Sequence, residues 1–288
     1  MIDIPSISSG LELGEDGIWH ATKDEKVSYP AKGNETCFAL EDGSFWFKHR
    51  NQCIARLVRR YPPGDHGAVF DIGGGNGFVA QGLMAAGVDV VLVEPGGAGA
   101  ANAKQRGVKH VIQATTDTAG FMPGCFPAAG LFDVLEHIQG DVAFLQSIRR
   151  FMMPGGRLYL TVPAYRFLWS EEDVLAGHFR RYSMPELHRT LESAGFEIEF
   201  STYIFRFLPL PIFFLRTLRH WFGNKKRNRS VTTALRDHAV SSDHTGAGRT
   251  TPGLLDRLLA SELEVLDRNK SMCFGGSCMV VAKAPSSP

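Results

Sequence analysis

Between Ser44 and Tyr203 two hydrophobic patterns alternate, and the alternation sets the expected architecture. The run SFWFKHRNQCIARLVRRY places Phe47, Ile54, Leu57, Val58 and Tyr61 at near-helical spacing, until Pro62-Pro63-Gly64 stops it. Short apolar runs then take turns with periodic stretches. They predict strands at 67–72, 89–94, 109–113, 128–133, 157–162 and 196–203, with helices from 77, near 98–106, at 141–152 and at 185–194. Strands separated by helices predict an α/β protein with a doubly wound, mostly parallel sheet and right-handed crossovers. Ligands of such sheets lie beyond the carboxyl ends of the strands.

The flanks read differently. Residues 1–43 have little periodicity and several turn residues, so they are expected to form an irregular arm ahead of the helix. After residue 203 a dense apolar run joins a basic one, IFRFLPLPIFFLRTLRHWFGNKKRNR, with six basic residues and no acid from Arg216 to Arg229. Its longest uncharged piece, Phe207 to Leu215, contains two prolines and is far short of the ~20 apolar residues that span a bilayer. Two readings stand: residues 204–229 lie in a membrane interface, with the basic side chains on anionic lipid, or they cap the ligand crevice. Residues 237–253 read as a mobile linker. Pro252 is placed to open a helix whose Leu254, Leu255, Leu258, Leu259 and Leu263 share a face, and GSCMVVAKA supplies a last strand. The expected organisation is an arm and cap helix (1–64), a binding core (65–203), an insertion with linker (204–253), and a helix and strand that complete the core (254–288).

The stretch VFDIGGGNG, Val69 to Gly77, carries the strongest chemical signal. A buried strand ends in an acid and turns through Gly73, Gly74, Gly75 and Gly77, which lets the backbone approach a ligand while the next helix presents its N-terminal N–H groups. The next apolar run, VDVVLVE, ends at Glu94, a carboxylate suited to accept both hydroxyls of a ribose. Gly75-Asn-Gly-Phe-Val-Ala80 formally satisfies the dinucleotide pattern G-x-G-x-x-G/A, so a nicotinamide cofactor and an NAD(P)-dependent oxidoreductase are an alternative. Asp71 argues against it, since an acid at the strand tip repels a pyrophosphate and welcomes a cationic amino-acid moiety. None of the six tyrosines has a lysine four positions on, so the Tyr/Lys pair of short-chain reductases is missing.

In order and spacing, Asp71–Gly77, Glu94, Phe132-Asp-Val-Leu-Glu-His137 and Pro154-Gly-Gly156 resemble the motifs of class I S-adenosylmethionine-dependent methyltransferases, of the type 11/12/23 kind. The resemblance covers roughly residues 65 to 203 and implies a seven-stranded sheet whose last strand returns antiparallel. It implies that Asp71 and the loop glycines hold the methionine end of S-adenosylmethionine, Glu94 the ribose, and Thr115 or Thr116 the adenine edge, with Phe132 also at the cofactor. The implied activity is methyl transfer to a small-molecule, sugar-linked or lipid-linked acceptor. A cofactor-binding sensor without turnover is a further alternative.

Methyl transfer from a sulfonium asks the protein to align, dehydrate and, where needed, deprotonate the acceptor. Asp133, Glu136 and His137 follow the fourth strand of the core, and His137 is the first choice of base because imidazole titrates near neutrality. The competing role is a helix cap or a backbone contact. Asp133-x-x-Glu136-His137 is similar to a metal-associated segment of ubiquinone-pathway O-methyltransferases, but three residues make a short motif and no metal is assigned. Farther on, WSEEDVLAGHFRRY offers Asp173, His178, Arg180, Arg181 and Tyr182, with His178 and Tyr182 taken as further catalytic candidates. Its arginine pair could fork onto a phosphate or carboxylate. It could equally pair with Glu171, Glu172 or Asp173 and pin the loop.

Composition narrows the partners. With 288 residues, 44% of them hydrophobic, the chain can bury a sizeable core. A net charge of +1 gives no chain-wide field toward nucleic acid, which is not expected as a substrate. The five cysteines are scattered and read as reduced thiols, and the N-terminus has no long apolar stretch of the secretory kind. Cytoplasmic residence is expected, with contact at the inner membrane surface if residues 204–229 lie in an interface.

Overall fold

A computed structural model of the chain describes residues 2–22, 38, 41–64, 67–217 and 253–286. The linker 237–252, Pro252 and the basic stretch after Thr217 therefore lie outside the described residues.

Among the described residues nine strands form one sheet, in the order β1-β2-β5-β4-β3-β6-β7-β9-β8. They are β1 (Leu11–Leu13), β2 (Trp19–Ala21), β3 (Val69–Ile72), β4 (Val90–Val93), β5 (His110–Gln113), β6 (Phe126–Phe132), β7 (Met152–Pro163), β8 (Glu197–Ile204) and β9 (Ser277–Lys283). Strands β3 to β7 run parallel, and β9 is inserted antiparallel between β7 and β8. This is the expected doubly wound core with its antiparallel last strand.

The expectation of seven strands is corrected to nine, and the correction falls on the arm taken as irregular. β1 and β2 form a hairpin closed by the Gly14 N–H to Ile18 carbonyl bond (2.8 Å), and β2 adds in parallel to β5, with Trp19 opposite Ile112. Each strand has three residues, too few for a period of two to register, and what stabilises them is the otherwise open edge of β5.

The strands bury both faces. Phe70, Ile72, Val91, Val93, Leu131, Leu160 and Val280 belong to one cluster, in which Phe70 stacks on Phe126 at 4.0 Å. Val69, Val90, Leu92, Tyr159 and Val281 belong to the other. Full burial on both faces is why these segments read as continuous apolar runs.

Helices in chain order are α1 (Ile4–Ile7), α2 (Phe45–Arg60), α3 (Phe78–Ala85), α4 (Gly97–Gln105), α5 (Asp141–Phe151), α6 (Glu171–Ala176), α7 (Met184–Ser193), α8 (Pro209–Ile212) and α9 (Leu254–Asp267). α2 is the expected cap helix. Ser44 caps it by accepting the Trp46 N–H, and Cys53, Ile54, Leu57 and Val58 are buried against the second cluster. α9 buries only part of its expected leucine face: Leu259 and Leu263 pack on that cluster, while Leu254 is 77% and Leu255 38% exposed. Its most buried residue is instead an acid, Glu262.

Candidate active site

The crevice is built at the carboxyl tips of β3, β4 and β6. Asp71 is the third residue of β3 and is 1% exposed, and its Oδ2 has no hydrogen-bond partner. Burial pushes its pKa up to about 7, against the pull of Arg50 and with a further push from Glu94. The chain then turns through the glycines. Gly75 adopts φ +53°, and a Cβ there would meet nothing within 4 Å, so the loop faces open space at this point. Gly77 is required for packing: a Cβ would lie 2.8 Å from that of Ala103 on α4. Gly73 passes under Val134, and Gly74 lies against Leu92 and Asp71.

Glu94 ties this loop to the next one. Its carboxylate accepts the N–H of Gly75 (2.9 Å) and the N–H of Gly96 (2.8 Å). Burial raises its pKa, partly offset by those two bonds. Burial thus disfavours the charged forms of both carboxylates, and a cation placed beside them would relieve this.

Contacts from the N-terminal region were not legible in the sequence. Glu41 accepts the Asn76 side-chain amide at 3.2 Å and pairs with Arg106 at 2.9 Å, while the Arg106 guanidinium lies over the rings of Phe38 and Phe78. These residues are far apart in sequence, and no local pattern marks them.

Strand β6 ends at Phe132, which packs against Gly130, and at Asp133, whose φ of +58° turns the chain sharply. Asp133 forms an ion pair with Arg50 of α2 and accepts the Thr161 hydroxyl at 2.9 Å, so its carboxylate is engaged on both oxygens. The turn Leu135–His137 follows. Glu136 is 1% exposed with Oε2 unpartnered, and burial pushes its pKa up to about 8. Burial, with help from nearby His178, pushes His137 down to about 4, so the imidazole is neutral but a weaker base than the near-neutral titration expected of it.

His178 is brought to this turn from the loop after α6. Its ring centre lies 4.7 Å from that of His137, and its Nδ1 is 2.9 Å from Asp173. Burial opposes the charge of Asp173, but hydrogen bonds from His178 and Arg181 outweigh it and hold the carboxyl at about 2. Among the described residues, Glu136, His137 and His178 are the group whose donor atoms, all within 4.8 Å of one another, could hold a metal ion. Asp133, grouped with the first two by sequence spacing, is taken by Arg50 instead.

Two sequence candidates stand in other surroundings. Tyr182 is 3% exposed in the first core cluster, and its hydroxyl donates to Asp141 at 2.9 Å. The Thr115 hydroxyl is 3.0 Å from that of Thr118 in a local turn, and Thr116 is buried beside it. Of the arginine pair, Arg180 meets Asp141 (2.6 Å) and Arg181 meets Asp173 (2.7 Å).

A sequence model of the methyltransferase domain matches residues 46–199, more than half of the chain. A "Ubiquinone biosynthesis O-methyltransferase" of Xanthomonas oryzae pv. oryzae is 26% identical over 99 residues, 32% of this chain and 41% of that protein. The chain thus spans less than half the length of that relative. A "Probable S-adenosylmethionine-dependent methyltransferase" of Mycolicibacterium smegmatis is 25% identical over 180 residues, 61% of this chain and 68% of that one. Among solved structures, phosphoethanolamine N-methyltransferase 2 of Haemonchus contortus superposes with a TM-score of 0.54 at 18% identity, covering 90% of this chain and 58% of the other. A methyltransferase of Thermotoga maritima gives 0.52 at 17% identity, covering 88% and 95%. These likenesses concern the fold.

Proposed function

The chain belongs to the methyltransferase-domain family, and on that premise we propose that it is an enzyme that transfers a methyl group from S-adenosylmethionine to a small-molecule, sugar-linked or lipid-linked acceptor. The observation that carries this reading is Asp71, a buried carboxylate with an unpartnered oxygen beside a glycine loop that faces open space. That arrangement suits the ammonium of a methionine moiety and disfavours a pyrophosphate, which sets aside the nicotinamide alternative.

S-adenosylmethionine supplies an electrophilic methyl on a sulfonium, whose charge disperses as the bond to sulfur breaks. The chain's residues bind and orient. Asp71, Gly73, Gly74, Gly75 and Gly77 hold the methionine end, Glu94 accepts from the ribose hydroxyls, and Thr116, Thr115 and Phe132 border the adenine. His137, neutral at ordinary pH, takes the proton from the acceptor's nucleophile as the new bond to carbon forms. His178 orients His137 and is itself oriented by Asp173. Asp133 and Tyr182 act by position, the first through Arg50 and Thr161, the second through Asp141.

A membrane-borne acceptor is supported by Leu210 and Phe214, 65% and 61% exposed, next to Phe213, which meets the edge of Phe167 at 6.2 Å. The basic residues that follow from Arg216 add the charge an anionic surface would attract. Among the described residues, no helix is long and apolar enough to cross a membrane. Replacing the six basic residues between Arg216 and Arg229 with glutamine should abolish sedimentation with anionic vesicles. If the unaltered protein does not sediment, the membrane contact is withdrawn.

The test of the cofactor is calorimetry with S-adenosylmethionine, its demethylated product and NAD(P). Glu94→Ala should lower affinity for S-adenosylmethionine about 100-fold, the loss of two charge-assisted hydrogen bonds, with the thermal melt showing a folded protein. Binding unchanged in that variant removes Glu94 from the ribose role, and tight binding of NAD(P) alone overturns the proposal.

A further inference from the structure

Beside the His137–His178 pair lies a cavity of about 310 Å³ lined by Arg166, Trp169, Phe179, Arg180 and Arg181. This volume is at the small end for ligand pockets, enough for one charged group and one ring. The cavity wall is joined to the catalytic turn, since the Phe179 N–H donates to the Glu136 carbonyl at 2.8 Å and His178 is the preceding residue.

The arginines differ in their engagement. Arg181 donates from Nε to Asp173 and from Nη1 to the Ala164 carbonyl, and Arg180 donates to Asp141 and to the Gln139 carbonyl. Each guanidinium carries five N–H donors, so both keep donors in hand while their positions are fixed. Arg166 makes no ion pair among the described residues. Glu186, the acid that feels its charge, is engaged by the Ser183 hydroxyl and N–H. Two of the three guanidinium groups are thus in ion pairs, while Arg166 is in none among the described residues and meets the charge of Glu186 only through space.

We propose that this cavity is an anion subsite that holds the phosphate of a phosphorylated acceptor on Arg166, Arg180 and Arg181, with the acceptor's apolar body against Trp169 and Phe179. Planar guanidinium groups match phosphate oxygens in pairs, and the indole and phenyl rings offer stacking faces. The wall that anchors the acceptor is bonded, through Phe179 and Glu136, to the turn that carries His137. The inference rests on the methyl-transfer reading for its meaning, but binding in the cavity can be measured without turnover.

The probe is phenyl phosphate, titrated into the full chain while tryptophan fluorescence is followed, at low and high salt. A saturable change is expected that weakens with salt and is lost in Trp169→Phe. Affinity should fall about tenfold in Arg166→Gln, with a thermal melt like that of the unaltered protein. Benzyl alcohol, an uncharged aromatic alcohol of similar size, should bind at least about tenfold more weakly than phenyl phosphate. No saturable change, equal binding of benzyl alcohol, or affinity unmoved by Arg166→Gln overturns the proposal. Vesicles of phosphatidylcholine with and without phosphatidic acid identify the source. Sedimentation competed by phenyl phosphate assigns a lipid headgroup, and phenyl phosphate binding without sedimentation assigns a free phosphate ester. If phenyl phosphate binds as stated and S-adenosylmethionine does not, the cavity assignment stands and the methyl-transfer reading falls.

Discussion

Arg50 of the cap helix and Asp133 at the end of β6 form an ion pair that joins two segments 83 residues apart. The Arg50 guanidinium also lies over the rings of Trp46 (4.9 Å) and Phe47 (5.6 Å), so the helix holds its own arginine in place for the contact. Removing one partner leaves the other charge poorly solvated. Arg50→Ala should cost about 2 kcal/mol in denaturant unfolding, and the double variant with Asp133→Asn should cost less than the two single losses combined by about 1 kcal/mol. Strict additivity would show that the pair does not couple the helix to the sheet.

Asp71 gives a pH dependence with opposite signs for stability and binding. Its pKa is raised from 3.8 to about 7, so between those values the folded protein holds a proton that the unfolded chain has lost. This group's contribution to the stability of the ligand-free protein therefore improves as pH falls from about 7 toward 4. Binding a cationic cofactor needs the ionised form, so affinity for S-adenosylmethionine should fall up to about tenfold per pH unit below about 7, with a proton released on binding. In Asp71→Asn that slope should flatten. Calorimetry in buffers of different ionisation enthalpy measures both the slope and the proton, and an unchanged slope would exclude Asp71 as its source.

Glu262 is the hub under the cap. Fully buried, it lies 3.0 Å from His49 Nε2 and accepts the N–H groups of Phe205 (2.9 Å) and Arg206 (2.7 Å). Glu262→Ala strands all three polar groups and should destabilise by about 3–5 kcal/mol, a large share of the 5–15 kcal/mol typical of a folded domain. Hydrogen exchange at Phe205 and Arg206 should rise before the strand interiors respond. Protection there equal to that of the unaltered protein would refute the hub.

The strands of the core were legible because burial on both faces leaves uninterrupted runs such as VVLV, and the loop was legible because four glycines after an acid have few other uses. The hairpin was not, because three-residue strands borrow their stability from β5. Asp133 was grouped with Glu136 and His137 by spacing because its partner Arg50 is distant in sequence, and Glu262 gave no sequence signal because the N–H groups it satisfies belong to a turn beyond β8. The pairing of Arg181 with Asp173 was among the expected ones, while that of Arg180 with Asp141 was not. Arg166, the third arginine of the cavity, carried no signal at all.

The antiparallel insertion of β9 has a consequence for biosynthesis. β8 ends at Ile204 and, among the described residues, pairs only with a strand that begins at Ser277, so its ladder stays unmatched while the intervening residues leave the ribosome. Strands β1 to β7, seven of the nine, can pair during translation, and β8 must wait for the final strand to join it to β7. A nascent chain arrested before Ser277 should present that gap to chaperones.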